Sequence, residues 1–296
     1  MDTALKTVIS VLPKRAASAV ERLAAGGTHL EEIRLRTGRP MQLIASTGEF
    51  MPETPVFTRE EAAELLEKMC RHSVYSREDE LRMGFVTLDG GARVGVCGRP
   101  VVENGRIKRM TDITSFNIRL TREALGCAEG VMEFILENGR PVSTLIAAPP
   151  AGGKTTLLRD IARCLSNGVC SRPFKVALHD ERGELAAMVD GVPSFDVGSR
   201  TDVLEFASKT EAIGIFVRTM DPDVIITDEI GGPGDAEALG EASRCGTAVI
   251  ASVHASGCDE LKKRPSLERT LASGVFKRIL LLRRNGSMLR ISPVRP

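Results

Sequence analysis

Five short apolar runs alternate with helix-compatible stretches in the part of the chain that follows residue 140. They are STLIA (143–147), FKVALH (174–179), DVIIT (223–227), TAVIASV (247–253) and RILLLR (278–283). Runs that are apolar throughout indicate strands buried on both faces, which is typical of a parallel sheet covered by helices. We therefore predict an α/β domain with a mostly parallel sheet, in which a ligand lies at the carboxyl ends of the strands.

The first of these runs leads into a glycine loop. The segment APPAGGKT (148–155) stands between the run 143–147 and an amphipathic helix predicted over 154–165. This order is typical of a P-loop, whose backbone amides converge on phosphate oxygens at a helix N-terminus. We expect Lys154 to neutralise the β- and γ-phosphates of ATP, and the Thr155 hydroxyl to bind Mg²⁺. The residues expected to bind the nucleotide are Pro149, Pro150, Ala151, Gly152, Gly153, Lys154, Thr155 and Thr156.

Ala148 departs from the P-loop pattern, because a glycine normally stands at this first position. Gly152 and Gly153 permit unusual backbone angles, whereas alanine disfavours positive φ. The sequence therefore leaves undecided whether Ala148 can adopt the backbone angles that the first position of the loop needs.

The run 223–227 ends in two carboxylates, Asp228 and Glu229. We expect Asp228 to hold the Mg²⁺ shell, directly or through water, and Glu229 to act as the general base for the attacking water. The alternative is a pair of solvated acids before the turn at Gly231 and Gly232. A P-loop earlier in the same chain favours the catalytic interpretation.

Two further strand ends carry polar residues. Asp180 and Glu181 follow the second run, where they would activate water, join the outer shell of the metal, or simply pair with Arg182. His254 follows the fourth run, on a strand expected between the P-loop strand and the acidic strand. There it would donate a hydrogen bond to the γ-phosphate or the attacking water, unless it is a structural histidine. The predicted catalytic residues are thus Glu229, Glu181 and His254.

The first part of the chain has a different pattern, which predicts a smaller α+β domain over 1–126 before a RecA-like P-loop NTPase domain over 127–296. We predict an amphipathic helix over 1–24, a helix over 60–70 with Thr58 as its N-cap, a hairpin over 84–98 around Asp89-Gly90-Gly91, a strand over 113–120, and a helix over 127–138 that leads into the second domain.

Composition excludes several classes of function. The 40 Lys and Arg residues nearly balance the 39 Asp and Glu residues, so the net charge of +1 gives no general reason to bind nucleic acid or an anionic membrane. No segment approaches the ~20 apolar residues of a membrane span. The seven cysteines show no C-x-x-C pair, and we interpret them as reduced core thiols of a cytoplasmic protein.

ATPases of this kind often need a cation from outside the loop to stabilise the charge on the transferring phosphoryl group. The sequence does not decide which arginine acts in this way. The candidates are Arg93, Arg99, Arg119, Arg122, Arg200 and Arg218.

The chain as a whole resembles the stage III sporulation protein AA family, a branch of the secretion-type ATPases that drive type II and type IV secretion and pilus motors. Because phosphate loops are widespread, the more diagnostic segments are three N-terminal ones: EEIRLRTGRP (31–40), GGARVGVCGR (90–99) and ITSFNIRLTRE (113–123). The resemblance continues through five more: PPAGGKTTLLRDIAR (149–163), HDERGELA (179–186), VGSRTDVLE (197–205), MDPDVIITDEIGG (220–232) and ASVHAS (251–256).

This resemblance implies a cytoplasmic ATPase in the mother cell of an endospore-forming bacterium, where it would power a secretion-like channel complex of membrane-embedded sporulation proteins. It also implies a homo-hexameric ring with ATP between subunits and arginines of the N-terminal domain reaching across the interface. By the same likeness Glu181 falls in the Asp-box segment of secretion ATPases, and His254 in their His-box segment.

Two other functions stay open at this point. A nucleic-acid-dependent ATPase would share the same sheet, although the balanced charge and the single tyrosine argue against it. The third possibility is a scaffold that binds ATP and hydrolyses it negligibly. We expect no nucleic-acid partner and no direct insertion into a membrane.

Overall fold

The computed structural model describes residues 3–53, 55–71, 73, 77–121, 123–150, 152–232, 234–262, 265–285 and 288–294. The chain divides into two compact units. The first combines Met1–Arg122 with Met188–Ser194, and the second combines Glu123–Ala187 with Phe195–Pro296.

An antiparallel sheet forms the first unit together with four helices. The helices are α1 (Thr3–Val11), α2 (Lys14–Ala25), α3 (Arg59–Met69) and α4 (Glu78–Arg82). The strands are β1 (Leu30–Arg36), β2 (Gln42–Ala45), β3 (Gly48–Phe50), β4 (Phe85–Thr87), β5 (Arg93–Glu103) and β6 (Arg106–Arg119). They lie in the order β3-β2-β1-β6-β5-β4.

Most of the helices and strands that local sequence patterns predicted for this unit are present in the structure. Thr58 caps α3 in a reciprocal capping box with Glu61, an arrangement in which the cap is worth about 1 kcal/mol. The predicted hairpin is formed by β4 and β5, and the predicted strand 113–120 is the end of β6. The single helix predicted over 1–24 was wrong. Pro13 stands at the N-cap of α2 and separates it from α1, because proline cannot continue a helix from the preceding turn.

The strands β5 and β6 extend beyond the rest of their sheet. Their pairing continues from Arg93 opposite Arg119 to Glu103 opposite Arg106. By contrast, β4 pairs only with residues 93–95 of β5, and β1 only with residues 115–119 of β6. Residues 99–112, which we call the β-ribbon, are therefore a two-stranded hairpin that turns at Asn104 and Gly105.

The second unit is built on a seven-stranded sheet. Its helices are α5 (Met132–Ile135), α6 (Lys154–Asn167), α7 (Lys209–Ile215), α8 (Asp235–Arg244), α9 (Cys258–Lys262) and α10 (Pro265–Ala272). The sheet strands are β9 (Thr144–Ala148), β10 (Val176–Asp180), β13 (Thr201–Glu205), β14 (Val224–Glu229), β15 (Ala248–His254), β16 (Arg278–Asn285) and β17 (Met288–Val294). They lie in the order β13-β10-β14-β15-β9-β16-β17. Two small hairpins complete the chain, β7 (Leu136–Glu137) with β8 (Arg140–Pro141), and β11 (Met188–Val189) with β12 (Val192–Pro193) in the first unit.

The predicted α/β class with a mostly parallel sheet is confirmed. All five apolar runs are strands, and every neighbouring pair in the sheet is parallel except β16 with the edge strand β17. The strand that ends in His254 lies between the P-loop strand β9 and the acidic strand β14, as expected. Because parallel strands end at one edge of a sheet, this order brings the polar strand ends together.

The helix predicted over 127–138 was wrong. A 3₁₀ turn at Glu129–Val131 and the single turn of α5 are followed by the β7–β8 hairpin. Asn138 and Gly139 take positive φ angles of 50° and 72° in its turn. Asn-Gly strongly favours this kind of two-residue hairpin turn, and here it outweighs the helical spacing of the apolar residues.

The prediction that the cysteines are buried core thiols was only partly right. Cys70 and Cys164 are buried, and burial raises the pKa of each thiol to about 11. Three others are exposed, so the interpretation as core thiols was wrong for Cys97, Cys170 and Cys245. In the described parts of the chain, no helix has both the length and the apolar character that crossing a membrane requires.

Candidate active site

The glycine loop ends at an uncapped helix N-terminus. Gly153 is the N-cap of α6, has a φ of 84°, and gives the helix no side-chain cap. The first amides of a helix lack intrahelical acceptors, so this end of α6 offers donors and a positive dipole to an anion. Gly152 is required for a different reason. A Cβ there would lie 2.8 Å from both the Ala148 Cβ and the Pro149 carbonyl oxygen.

Ala148 fits its position without strain. It is the last residue of β9, pairs with His254 of β15, and accepts a hydrogen bond from the Ala255 amide at 3.1 Å. Its φ is not positive. The substitution of alanine for glycine therefore leaves the described part of the loop intact. Ala151 lies outside the described residues.

Three side chains form a continuous chain of contacts across the strand ends. Lys154 is 7 % exposed, and its Nζ lies 2.7 Å from His254 Nδ1 and 3.4 Å from the Ala148 carbonyl oxygen. Because an ammonium only donates, His254 Nδ1 accepts and the ring proton is on Nε2. That Nε2 lies 3.4 Å from Glu229 Oε2. Burial lowers the pKa of Lys154, and the negative charge of Glu229 partly offsets this effect.

Lys209 connects the ends of β10 and β14. It is the first residue of α7 and is 5 % exposed. Its Nζ donates to Glu181 Oε2 at 2.8 Å and to the Glu229 carbonyl oxygen at 2.9 Å. Burial alone would raise the pKa of Glu181, but the hydrogen bond and charge of Lys209 outweigh it and lower that pKa. Glu181 is thus an ionised, paired carboxylate.

Asp228 is held in a less favourable environment. Burial raises the pKa of this carboxyl to about 7, with Lys209 opposing the shift and Asp180 and Glu181 adding to it. A carboxyl with this pKa changes charge near neutral pH. A bound cation would favour its ionised form.

The acidic strand ends have the donor set that a hard cation needs. Ligand atoms of His179, Glu181 and Asp228 all lie within 4.8 Å of one another. The His179 ring is already engaged, since Nδ1 lies 2.9 Å from Thr227 Oγ1 and Nε2 lies 3.0 Å from the Ala207 carbonyl oxygen. Burial lowers its pKa, which keeps it neutral. The available ligands are therefore carboxylate oxygens, the type that Mg²⁺ prefers.

Asp180 has a structural role that the sequence left open. Its carboxylate accepts hydrogen bonds from the amides of Glu184 at 2.8 Å, Leu185 at 3.0 Å and Ala186 at 2.8 Å. The sequence also allowed these acids to pair with Arg182, whose charge contributes to the lowered pKa of Glu181. Glu181 pairs with Lys209, and Arg182 Nη2 lies 3.5 Å from Glu229 Oε2.

Arg159, a residue of α6, also contacts the loop that begins at Glu181. Its guanidinium donates to the carbonyl oxygens of Leu185 and Glu184, each at 2.7 Å, and stacks 3.8 Å above the ring of Phe195. Asp180 and Arg159 thereby fix both the amides and the carbonyls of the loop that begins at Glu181. Beside it, an open cavity of about 430 Å³ has walls that include Glu181, Lys209, Asp228 and Glu229.

Comparison with known proteins agrees with the predicted resemblance. A family model described as sporulation stage III, protein AA matches residues 5–294. The chain belongs to this family. The stage III sporulation protein AA of Bacillus subtilis (strain 168) is 40 % identical over 282 residues, which cover 95 % of this chain and 91 % of that protein.

Solved structures extend the likeness of this stage III AA chain to the fold. The ATPase DotB of Legionella pneumophila aligns with a TM-score of 0.61 at 15 % identity, over 92 % of this chain and 76 % of that one. The pilus retraction motor PilT with bound ADP aligns with a TM-score of 0.63 at 16 % identity, over 94 % and 82 %. The stage III AA chain therefore has the fold of the P-loop secretion ATPases.

Sequence reasoning on this stage III AA chain missed Lys209 and Arg159. Lys209 follows the carboxyl end of β13, and the rule that assigned the other strand ends would have found it. However, the sequence of β13 is TDVLE, and a search for apolar runs does not find this strand because it contains polar residues. Arg159 is a helix residue whose role depends on tertiary contacts alone.

The structure brings together Lys154, Asp228, Glu229, Glu181 and His254, while Thr155 and Thr156 lie on the first turn of α6. The arginines have separate environments. Arg200 donates to the Ser166 carbonyl oxygen at 3.2 Å, and Arg93 stacks 3.7 Å above the Phe85 ring. Arg122 lies outside the described residues.

Proposed function

We propose that this stage III AA family member is an ATP-hydrolysing motor. The observation that carries the proposal is the chain of contacts Lys154–His254–Glu229, which joins the glycine loop, β15 and β14 beside an uncapped helix N-terminus. A buried lysine beside a free helix end fits phosphate. The carboxylate at the other end of the contacts fits the activation of water.

Each residue then has a role that its position supports. Phosphate oxygens would give the Lys154 ammonium charged acceptors in place of a histidine nitrogen and carbonyl oxygens. Pro149 to Thr156 would surround the phosphates, with Ala151 included from the sequence. Thr155 and Asp228 would hold Mg²⁺, which neutralises charge on the phosphates when it is bound.

Glu229 is the better base of the two candidate glutamates. The pKa of Glu181 is lowered by Lys209, which makes Glu181 a weaker proton acceptor. We assign Glu181 to the outer shell of the metal or to orientation of water. His254 directs its Nε2 towards Glu229 and its Nδ1 towards Lys154, so it would respond to changes at the phosphate that alter either partner.

The likeness to motors and secretion ATPases supports the wider role. We propose a homo-hexamer in the mother-cell cytoplasm of a spore-forming bacterium, which drives a channel of membrane-embedded sporulation proteins. In the first unit, Arg93, Arg99 and Arg119 are candidates to reach the nucleotide of a neighbouring subunit. Light scattering with ATP and Mg²⁺ should show a hexamer at micromolar concentration, and a monomer there would contradict this assembly.

The test of hydrolysis compares phosphate release by three proteins. Glu229→Gln should lower turnover by about a hundredfold or more while ATP binding is retained, because only the base is removed. Glu241→Gln, on the exposed side of α8, is the matched control and should leave turnover unchanged. Equal rates for the wild type and Glu229→Gln would contradict the proposed base. Negligible release by the wild type would favour a scaffold, and strong stimulation by single-stranded DNA or RNA would favour a nucleic-acid-dependent ATPase.

A further inference from the structure

The β-ribbon (residues 99–112) has two chemically different faces. Cross-strand partners share a face, and residues two apart along a regular strand do so as well. The pairing shifts register between Val101 and Val102, where Lys108 is an extra residue of β6, so Ile107 and Arg109 lie on opposite faces. Val102 is paired with Ile107, and Pro100 with Met110, which places these four apolar residues on one face. The opposite face carries Val101 with Arg109 and Glu103 with Arg106. The ribbon is therefore amphipathic, with an apolar and a mainly basic face.

Its apolar residues are exposed where the ribbon is furthest from the sheet. Val102 is 58 % exposed and Ile107 is 41 % exposed, directly beside the turn. Met110, closer to the sheet, packs against the core of the first unit. The exposed pair thus lies outside that core and forms a small apolar surface beside the turn.

The unpaired charges of the ribbon all have the same sign. Lys108 pairs with Glu103 at 2.6 Å, and Asp112 lies 3.7 Å from Arg59. Both acidic residues are thus matched. Arg99, Arg106 and Arg109 form no ion pair with any residue that the structure describes. The net charge of +1 for the whole chain conceals this local excess.

We propose that the β-ribbon adsorbs to an anionic lipid bilayer, with Val102 and Ile107 at the level of the headgroups and the three arginines paired with lipid phosphates. Apolar residues combined with Lys or Arg on an amphipathic element are the features of a segment that lies at a membrane interface. The ribbon combines exposed apolar residues with exposed arginines, which favours an anionic lipid surface as its partner.

The depth of adsorption is limited by the backbone. Over residues 99–112 both ribbon edges lack a neighbouring strand, so their free N–H and C=O groups need water or headgroups as partners. The ribbon should therefore lie among the headgroups and leave the hydrocarbon region intact. Arg106 and Arg109 allow this proposal to be tested apart from ATP hydrolysis, because they, unlike Arg99, are not among the arginines proposed to reach a neighbouring nucleotide.

The experiment is cosedimentation of the full chain with vesicles. One set contains phosphatidylglycerol and phosphatidylcholine in equal parts, and the other contains phosphatidylcholine alone. The wild type should bind the anionic set at low salt and dissociate at about 0.5 M NaCl, where the Debye length is only a few ångströms. Arg106→Ser/Arg109→Ser should lower the partition constant about ten- to thirtyfold, since each basic residue adds about tenfold or less. Ile107→Ser should lower it by a further severalfold.

The matched control is Arg22→Ser/Arg140→Ser, which removes the same charge from two exposed sites outside the ribbon. It should keep binding within about threefold of the wild type, and every variant should melt at the wild-type temperature. Equal binding to both vesicle sets, or equal losses in the ribbon variant and the control, would overturn the proposal. The proposal would also be overturned if the wild type bound polyglutamate and neither vesicle set, since that result would identify an acidic protein partner instead.

Discussion

The two units hold their charged groups in opposite ways. In the second unit Lys154, Lys209 and Arg159 are buried and each has specific partners, and Asp228 is buried beside them. In the first unit the arginines of the β-ribbon are exposed and have no ion-pair partner among the described residues. Burying a charge costs several kcal/mol unless partners compensate for it. A protein keeps such groups where they act on a ligand or fix a loop. Exposed charges keep their hydration, so they cost little folding free energy, and they are available to bind an extended surface such as a lipid bilayer.

The largest expected effect is that of Lys154→Met on catalysis. Removing the buried cation next to the helix N-terminus should lower phosphate release by a hundred- to a thousandfold, since it removes charge stabilisation where the transferring phosphate lies. Because the charge of Lys154 is disfavoured by burial, the thermal stability of the nucleotide-free variant should not decrease. Lys175→Met, at an exposed lysine paired with Asp221, should retain turnover and serves as the control.

Asp228→Asn should stabilise the nucleotide-free protein at alkaline pH. Burial raises the pKa of Asp228 from 3.8 to about 7, so between these values the folded state keeps a proton that the unfolded state has lost. The stability of the wild type therefore falls as pH rises through this window, and the loss is complete above it. The asparagine does not titrate, so it should add roughly 2–4 kcal/mol to the free energy of unfolding at pH 8.

Denaturant unfolding at pH 8 and at pH 5 measures this difference, and the gain should be much smaller at the lower pH. Asp202→Asn, at an exposed position of β13, should change neither value. A gain that is the same at both pH values would show that the titration of Asp228 is not its source.

Arg159→Met tests a buried charge that has a structural role. The variant should lose about 2–3 kcal/mol of unfolding free energy, because the carbonyls of Glu184 and Leu185 lose charged donors inside the protein. Urea unfolding checks the value against Arg244→Met, an exposed residue at the end of α8. A loss below about 1 kcal/mol would mean that water replaces the guanidinium.

Lys108→Ala tests the exposed side of the comparison and should have the smallest effect. The Lys108–Glu103 pair is solvated on both sides, so its removal should change the unfolding free energy by no more than about 0.5 kcal/mol. Chemical denaturation is sufficient to measure it. An effect as large as that of Arg159→Met would show that the ribbon is more rigidly tied to its sheet than its exposure indicates.

The sequence predicted those parts of the molecule in which one local rule dominates. Continuous apolar runs identified the buried parallel strands, and their polar ends identified Lys154, Asp228 and Glu229 as neighbours. The position of His254 between them followed from strand order. The search for apolar runs did not find β13, because this edge strand contains polar residues. As a result, Lys209, which follows β13, was not predicted.

Other features depend on contacts that a single sequence does not show. The fit of Ala148 is decided by its extended conformation at the end of β9, and the role of Asp180 by three amides of the following loop. At residues 127–138 two local signals competed. Helical spacing of apolar residues and the Asn138-Gly139 turn gave different predictions, and the turn prevailed.

The hairpin of β11 and β12 has a consequence for how the chain is synthesised. Asp190 at its turn pairs with Arg71 and Arg77 of the first unit, although it lies far along the chain, beyond the glycine loop. A ribosome therefore releases the antiparallel sheet well before the segment that completes its unit. Before a large part of the second unit has been translated, Arg71 has only Asp89 and Arg77 only Glu80 as an acidic partner among the described residues, and the contacts with Asp190 cannot form. A fragment that ends near residue 122 would remain permanently at that unfinished stage.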